Sequence, residues 1–221
     1  IEYMKKAQEI TDRTFDDLLN VIHPGMTEKE LCAELIYRLY KYGSEGPSFD
    51  PITVSGPNTS LPHGVPSERV LQYGDFVTMD FGCLYHGYCS DMTRTVFLGK
   101  PPEILERAYE VVLEAQQAGI AEYRDGAKAS AADIAAREII DNSEFKGKFI
   151  HTFGHGIGMD VHQPISIYQK SEQVLRAGNI ISAEPGIYIP GVGGIRIEDT
   201  CLVTEDGCEV LTSFDHSFTV V

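Results

Sequence analysis

The chain has 221 residues, 43% of them hydrophobic and 23% charged, which is enough apolar sequence to bury a substantial core. Its formal net charge of -15 would repel a phosphate backbone, and the basic residues are scattered, so no nucleic-acid partner is predicted. No apolar run reaches the roughly 18 residues of a membrane helix, and no export signal opens the sequence, so we expect no membrane association. Five cysteines without short, paired spacings indicate structural thiols and predict a cytoplasmic protein.

Two helices are predicted at the start of the chain. Apolar residues at helical spacing from Met4 to Ile22 predict a first helix, which the turn residues 24–25 end. Thr27 followed by Glu30 has the pattern of a capping box, so a second helix is predicted to begin there.

A strand with an acid near its end occurs twice. Residues 74–82 read "GDFVTMDFG" and residues 178–186 read "GNIISAEPG", each with a glycine, an apolar strand, an acid and a second glycine. An apolar strand that carries a carboxylate in both copies indicates a duplicated unit with a polar task, because carboxylates are seldom buried without a partner or a metal.

The second copy is also preceded by two predicted helices. Leu105 to Ala115 has helical apolar spacing and is followed by the turn residues 125–126, and Ser130 with Asp133 resembles a second helix start. The sequence therefore predicts an internally duplicated α/β (α+β) fold, in which each half has two helices followed by a strand hairpin. The predicted boundaries are one domain over 1–221, with half one at about 1–99 and half two at about 103–212.

Symmetric hairpins would bring the acids together in pairs. A turn centred between Tyr85 and His86 would place Asp80 directly across from Asp91. In the second half, a turn centred on Gly191 would place Glu184 opposite Glu198.

Opposed carboxylates repel one another, so four of them need a counter-charge. Two divalent cations would supply it and would be bridged by opposed pairs. The alternative is that the acids lie exposed on a solvated face. Their symmetric placement in duplicated hairpins favours the metal site.

Histidines lie in the loops that lead to the hairpins. His151, His155 and His162 alternate with glycines that disfavour a helix, and this pattern is typical of backbone passing close to a site. The glycines lack both the dinucleotide fingerprint and the Lys-Ser/Thr ending of a phosphate loop. His63 lies in the loop "SLPHGVPS" before the first hairpin, whereas the other histidines, His23, His86 and His216, are predicted at the surface or in turns.

Arg196 precedes Glu198 by two residues and is predicted on the same strand face, where it could orient a carboxylate or form only a surface ion pair.

The motifs "LPHG", "MDFG", "SDMTRT", "GHGIG", "EPG" and "RIED", in this order, resemble those of the pita-bread metallopeptidases. That family includes methionine aminopeptidase, aminopeptidase P, prolidase and creatinase, and the resemblance covers nearly the whole chain. The stretches "SFDPITVSGPNTSLPHGVPS" and "YHGYCSDMTRT" resemble the Xaa-Pro peptidase branch most.

The resemblance implies the pita-bread fold, two pseudo-symmetric halves around a curved, mainly antiparallel sheet, and a dinuclear metal site. Its implied ligands are Asp80, Asp91, His155, Glu184 and Glu198. Of these, Asp91 and Glu198 would bridge two ions of Mn²⁺ or Co²⁺, with zinc and iron as alternatives.

Other positions match residues that act on the substrate. His63 and His162 match substrate-contacting, proton-handling histidines, and Glu184 would be the general base. His151 matches a residue that shapes the pocket around proline, while Tyr188 and Arg196 match residues that brace the site. Gln163 stands where many relatives carry an acid, and we expect it to tune the site without loss of metal.

The implied activity is removal of the N-terminal residue from a small peptide, or a dipeptide, with proline at its second position. Alternatives within the enzymes are a methionine aminopeptidase and a creatinase-like hydrolase, and a non-catalytic pita-bread binding module is the alternative of another class. The presence of all five ligand positions counts against the module. The N-terminal domain usual in the Xaa-Pro branch is expected to be missing, and a homodimer is left open.

Overall fold

The computed structural model describes residues 1–213, 216 and 218–221. Within these residues the chain runs through two helices and a set of strands, and then repeats that order. The helices are α1 (Glu2–Leu18), α2 (Glu28–Lys41), α3 (Glu103–Ile120) and α4 (Ala129–Asn142), with a 3₁₀ helix at Gly56–Ser60.

The strands of the first half are β1 (Gly46–Pro47), β2 (Ile52–Ser55), β3 (Phe76–Phe81), β4 (Cys83–Tyr85), β5 (Tyr88–Cys89) and β6 (Met92–Phe97). Those of the second half are β7 (Gly154–Gly156), β8 (Gln163–Ile167), β9 (Ile180–Ala183), β10 (Gly186–Ile189), β11 (Gly193–Arg196), β12 (Asp199–Val203) and β13 (Cys208–Val210). Every pairing of these named strands is antiparallel.

Both predicted helices of the first half are present, but α1 ends at Leu18, before the predicted end at residues 24–25. α1 buries Met4 on the face that the apolar spacing predicts. At α2, the Thr27 hydroxyl oxygen accepts a hydrogen bond from the Glu30 amide at 3.1 Å, and the Glu30 carboxylate accepts from the Thr27 amide at 2.7 Å. This reciprocal pair is the capping box that the sequence predicts.

The predicted start of α4 is wrong in its cap. The N-cap is Lys128, and it makes no side-chain cap bond, so Ser130 lies inside the helix. Asp133 instead accepts two 2.9 Å hydrogen bonds from Arg137 and one of 3.2 Å from the Phe153 amide. The carboxylate is therefore taken by Arg137, one turn further along α4, and by the Phe153 amide, and not by the start of the helix.

The predicted register of the first hairpin is also wrong. Asp80 pairs with Thr93, not with Asp91. The turn is centred on His86 and Gly87, both at positive φ (49° and 74°), which is the backbone of a two-residue type I′ turn. The side-chain pattern identifies a turn here, but its centre lies one residue later than predicted.

The predicted register of the second hairpin is confirmed. Ala183 pairs with Asp199 below the carboxylates, and Gly186 pairs with Arg196 above them. Continuing either ladder sets Glu184 opposite Glu198. Gly191, at a φ of 76°, lies at the centre of the turn.

The two halves bury separate apolar cores on either side of these hairpins. One core packs α1 and α2 against β3 and β6, and the other packs α3 and α4 against the strands of the second half. Phe76 and Phe97 belong to the second of these cores although they lie on strands of the first half. An antiparallel bridge between Thr93 and Glu198 joins the two sets of strands, so both hairpins meet at one place.

The structure also bears on membrane-spanning helices and on the state of the cysteines, which the composition raised. No helix among the described residues combines the length and hydropathy needed to cross a bilayer. All five cysteines are free thiols, and three of them, Cys83, Cys89 and Cys201, are buried.

Candidate active site

A cavity of about 350 Å³ lies where the hairpins meet. Of the ten residues that the sequence predicts to bind metal, contact substrate or brace the site, nine line it: His63, Asp80, Asp91, His151, His155, His162, Glu184, Arg196 and Glu198. The tenth, Tyr188, is buried and contacts this wall through His151 and Arg196.

Three donors form the centre of the cavity. One ligand atom each from Asp91, His155 and Glu198 lies within 4.8 Å of the other two. His155 Nε2 is 3.5 Å from an Asp91 oxygen and 3.3 Å from a Glu184 oxygen. Because His155 Nδ1 lies 3.1 Å from the Gly156 carbonyl, it is the nitrogen that donates, and Nε2 is left to face the carboxylates.

The two most buried carboxylates have unused oxygens. Asp91 and Glu198 are only 3% and 2% exposed. Within the described part of the chain, Asp91 Oδ1 and Glu198 Oε1 are buried without a hydrogen-bond partner. Burying an acceptor in this way is costly, and a bound cation would remove the cost. These residues therefore fit a metal site.

The pKa values of the carboxyl groups in the cavity reflect their burial and their closeness to one another. Burial, together with the neighbouring carboxylates, raises the pKa values of Asp91 and Glu198 well above their usual range. Burial likewise raises the pKa of Glu184 to about 7, although Arg196 opposes the rise. Without cations, the cavity favours protonated carboxyl groups.

Glu184 is held from both ends. Its amide donates to the Phe153 carbonyl at 2.8 Å, and its carboxylate accepts from the Ser182 hydroxyl at 3.1 Å. The side chain stays 16% exposed and lines the cavity, so it can still reach a bound molecule.

Arg196 is buried, so the alternative of a surface ion pair is wrong. It is 3% exposed and donates to the Asp80 carboxylate in a short contact. It also donates to the Thr93 hydroxyl at 3.0 Å and to the Tyr188 hydroxyl at 2.9 Å. Asp80 is thus tied to a cation of the protein itself, and its oxygens are outside the group of three donors.

His151 is kept neutral at the end of this chain of contacts. Its Nε2 lies 2.9 Å from the Tyr188 hydroxyl, and its Nδ1 lies 2.8 Å from the Thr152 carbonyl. Burial and the positive charge of Arg196 lower the pKa of His151 to about 3. His151 thus lines the cavity as a neutral ring with both nitrogens engaged.

His63 and His162 lie at the rim, and both are exposed. The His162 ring centroid is 4.2 Å from that of His155, and the partial burial of the His162 ring, together with the neighbouring His155, lowers the pKa of His162. Both histidines line the cavity and are able to meet a molecule that enters it.

The metallopeptidase family M24 matches residues 2–205. The chain belongs to this family. Its pita-bread fold is confirmed by a TM-score of 0.98 to the structure of Xaa-Pro dipeptidase from Bacillus anthracis, which is 42% identical over the whole chain and 62% of that protein. X-Pro aminopeptidase from Thermotoga maritima also gives 0.98, at 40% identity over the whole chain and 63% of its own.

Curated relatives include the Xaa-Pro dipeptidase of Pyrococcus furiosus, which is 44% identical over 98% of this chain. The M24 chain spans only 62% of the length of that relative. Membership in a metallopeptidase family, together with the Asp91, His155 and Glu198 group, indicates a divalent-metal site.

Sequence reasoning missed several residues that support the M24 site. The Thr93 hydroxyl donates to Glu198 Oε2 at 2.6 Å, and Arg94 donates to the Glu198 carbonyl at 2.6 Å and to Asp199 at 2.7 Å. His216, predicted at the surface, contacts the other oxygen of Asp199. The motif "SDMTRT" is the feature of the sequence that could have identified Thr93 and Arg94, because it places a threonine and an arginine close after Asp91.

Proposed function

We propose that this chain carries the catalytic site of a peptidase that removes the N-terminal residue from Xaa-Pro peptides with two divalent metal ions. The observation that carries the proposal is the cavity in which four carboxylates and His155 converge, with buried oxygens of Asp91 and Glu198 left unpaired. The names of the relatives, Xaa-Pro dipeptidase and X-Pro aminopeptidase, support the same substrate class.

The residues that would hold the ions are Asp80, Asp91, His155, Glu184 and Glu198. Asp91 and Glu198 would be shared between the two ions, as the family resemblance implies, and each has a buried oxygen without a partner among the described residues. A set with four carboxylates and one imidazole favours harder ions, so Mn²⁺ or Co²⁺ is proposed ahead of zinc and iron. Bound there, such ions would supply Lewis acidity, which acidifies water and polarises a carbonyl oxygen.

Glu184 is the proposed proton acceptor. The carboxylate lies at the cavity wall, and the Ser182 hydroxyl fixes the direction of one of its oxygens. A base fixed in this way can take the proton of the attacking water without first reorienting, which is the condition for efficient general-base catalysis.

The rim histidines are proposed to meet the peptide. His63 and His162 could donate to the carbonyl oxygen as negative charge develops and assist the departing nitrogen. His151, neutral and braced by Tyr188, offers a ring face suited to an apolar proline ring. Gln163 is the first residue of β8 and directly follows His162. Its side chain packs against Gly156 and Gly158, a position suited to tuning the site.

The alternatives make different predictions. A methionine aminopeptidase would prefer Met-Ala, whereas Ala-Pro and Ala-Pro-Ala separate a dipeptidase from an aminopeptidase acting on longer peptides. A creatinase-like hydrolase would not need the metal, and a binding module would bind no stoichiometric metal and cleave none of these substrates. A cytoplasmic location and a homodimer remain predictions.

The test is elemental analysis of the purified protein, followed by the peptide panel with and without added Mn²⁺. Glu184→Gln should remain folded, by circular dichroism, and lose activity on Ala-Pro by about a thousandfold or more, because it removes the base and weakens the metal site. Full activity of this variant would show that the chemistry assigned to Glu184 is wrong.

A further inference from the structure

Glu28, the first residue of α2, has a fully buried carboxylate that accepts hydrogen bonds from both ends of one loop. One oxygen accepts from the Ser55 amide at 2.7 Å and the Ser55 hydroxyl at 2.8 Å, and the Asn58 amide group adds a bond of 3.1 Å. The other oxygen accepts from the Ser67 amide at 3.0 Å and the Ser67 hydroxyl at 2.6 Å. The carboxylate therefore clamps residues 56–66, here called the His63 loop.

The His63 loop needs such a clamp because much of its side-chain surface lies in solvent. Leu61 is 59% exposed, Val65 is 80% exposed, and His63 is exposed as well. Little apolar burial is available to hold these residues, and a loop with few buried contacts opens readily. Polar contacts at its two ends thus carry much of the order of the loop.

The far side of the His63 loop contacts the cavity. The Pro62 carbonyl accepts a 3.0 Å hydrogen bond from Arg196, and the Thr59 hydroxyl accepts one of 2.8 Å from the Gly194 amide. His63 follows Pro62 directly and lines the cavity. A shift at Ser55 or Ser67 would therefore be transmitted to the position of the His63 ring.

The second half of the molecule uses a similar arrangement. Asp133 on α4 is fully buried and accepts from the Phe153 amide, and its partner Arg137 donates to the His151 carbonyl at 2.9 Å. In both halves, then, a buried acid on the second helix holds a loop that carries a cavity histidine. The recurrence in a duplicated fold favours a common role for these acids.

We infer that Glu28 is a positioning residue, which fixes the His63 loop through Ser55 and Ser67 and so sets where the His63 imidazole meets the substrate. The inference rests on the proposed role of His63. It assigns Glu28 an effect on catalysis although the residue lines no part of the cavity.

A double-mutant cycle tests the inference. In Glu28→Gln, the carboxamide turns N–H groups toward N–H and O–H donors, so the clamp should open and kcat/KM for Ala-Pro with Mn²⁺ should fall about tenfold or more. His63→Ala should cause a fall of similar size. If Glu28 acts through His63, kcat/KM of the double variant should lie within about threefold of that of the less active single variant.

Asp12→Asn is the matched control. Asp12 is a buried acid on α1 that accepts from the Ser213 amide at 2.9 Å and the Ser213 hydroxyl at 2.7 Å, and it does not line the cavity. Its variant should lower the Tm but keep kcat/KM within about twofold of the parent protein. If Glu28→Gln fails to fold, Ser67→Ala replaces it in the cycle, because this change keeps the carboxylate and removes the 2.6 Å bond to it, together with one of 3.1 Å from the Arg69 amide.

Hydrogen exchange gives a readout that needs no activity. Glu28→Gln should speed exchange about tenfold or more in peptides from residues 56–66, whereas Asp12→Asn should leave them unchanged. Unchanged exchange in these peptides would overturn the inference while leaving the peptidase proposal intact. So would a double variant whose loss of kcat/KM is the product of the two single losses. Full activity of His63→Ala would instead refute the proposed role of His63, and the inference with it.

Discussion

Thr93→Val is predicted to weaken the protein and its metal site together, because one hydroxyl contacts both Glu198 and Arg196. The Thr93 side chain is fully buried, donates to Glu198 at 2.6 Å and accepts from Arg196 Nε at 3.0 Å. Valine keeps the shape of the side chain but makes neither bond. Its backbone bridge to Glu198 is unaffected.

The magnitude follows from those two bonds. The hydrogen bond to charged Arg196 contributes about 1.5 to 3 kcal/mol and the one to the Glu198 carboxyl, which is neutral in the metal-free protein, about 1 kcal/mol, so the loss of both should exceed the small gain from burying an extra methyl group. We expect the free energy of unfolding to fall by about 3 kcal/mol, which corresponds to a Tm lower by roughly 6 to 12 °C for a chain of this length. Since Glu198 would lose the group that orients it, the Kd for Mn²⁺ should rise about 10- to 100-fold.

Urea denaturation of the metal-free protein and calorimetric titration with Mn²⁺ measure the two effects. Thr78→Val is the matched control, because Thr78 lies buried on the neighbouring strand and its hydroxyl is 3.2 Å from the neutral hydroxyl of Thr95. Thr78→Val should lower the free energy of unfolding by about 1 kcal/mol and leave the Kd for Mn²⁺ unchanged. Equal losses in the two variants, with equal Kd values, would refute the role assigned to Thr93.

Three further predictions follow from pKa values. Burial and Arg196 lower the pKa of His151 to about 3, so the neutral ring contributes fully to the free energy of unfolding above pH 6.5, and this contribution is lost as pH falls. In urea denaturation, the free energy of unfolding should therefore fall between pH 6.5 and 5 by about 2 kcal/mol less in His151→Gln than in the parent protein. Burial raises the pKa of Glu184 to about 7, so the metal-free protein should lose stability as pH rises from about 4.5 through 7, and Mn²⁺ should abolish that loss in thermal melts. The Cys201 thiol lowers the pKa of Cys208, whereas burial raises the pKa values of Cys83 and Cys89 to about 11, so mass spectrometry should find Cys208 alkylated first by iodoacetamide; earlier labelling of a buried thiol would contradict this.

The amino-acid sequence by itself determined the repeated order of elements and the residues that could serve a metal. The second hairpin was predictable down to its register, because Gly191 must take a positive φ and the acids flank it symmetrically. The Thr27 capping box was predictable for a similar reason, since both of its partners lie within one helical turn. Such features depend on residues that are close in sequence.

The tertiary structure alone decided which partners those residues take. The first hairpin turns at His86 and Gly87 and not one residue earlier, so Thr93 and not Asp91 faces Asp80. The contacts of Arg196 with Asp80 and of Glu28 with the His63 loop join residues that are far apart in sequence.

The physical reason is that a side-chain pattern encodes local backbone geometry and burial. Hydrogen bonds between distant segments depend on the packing of both cores, which brings those segments together. A carboxylate can be recognised in the sequence as needing a partner, but the packed fold determines whether that partner is a cation, an arginine or a ring of N–H and O–H groups.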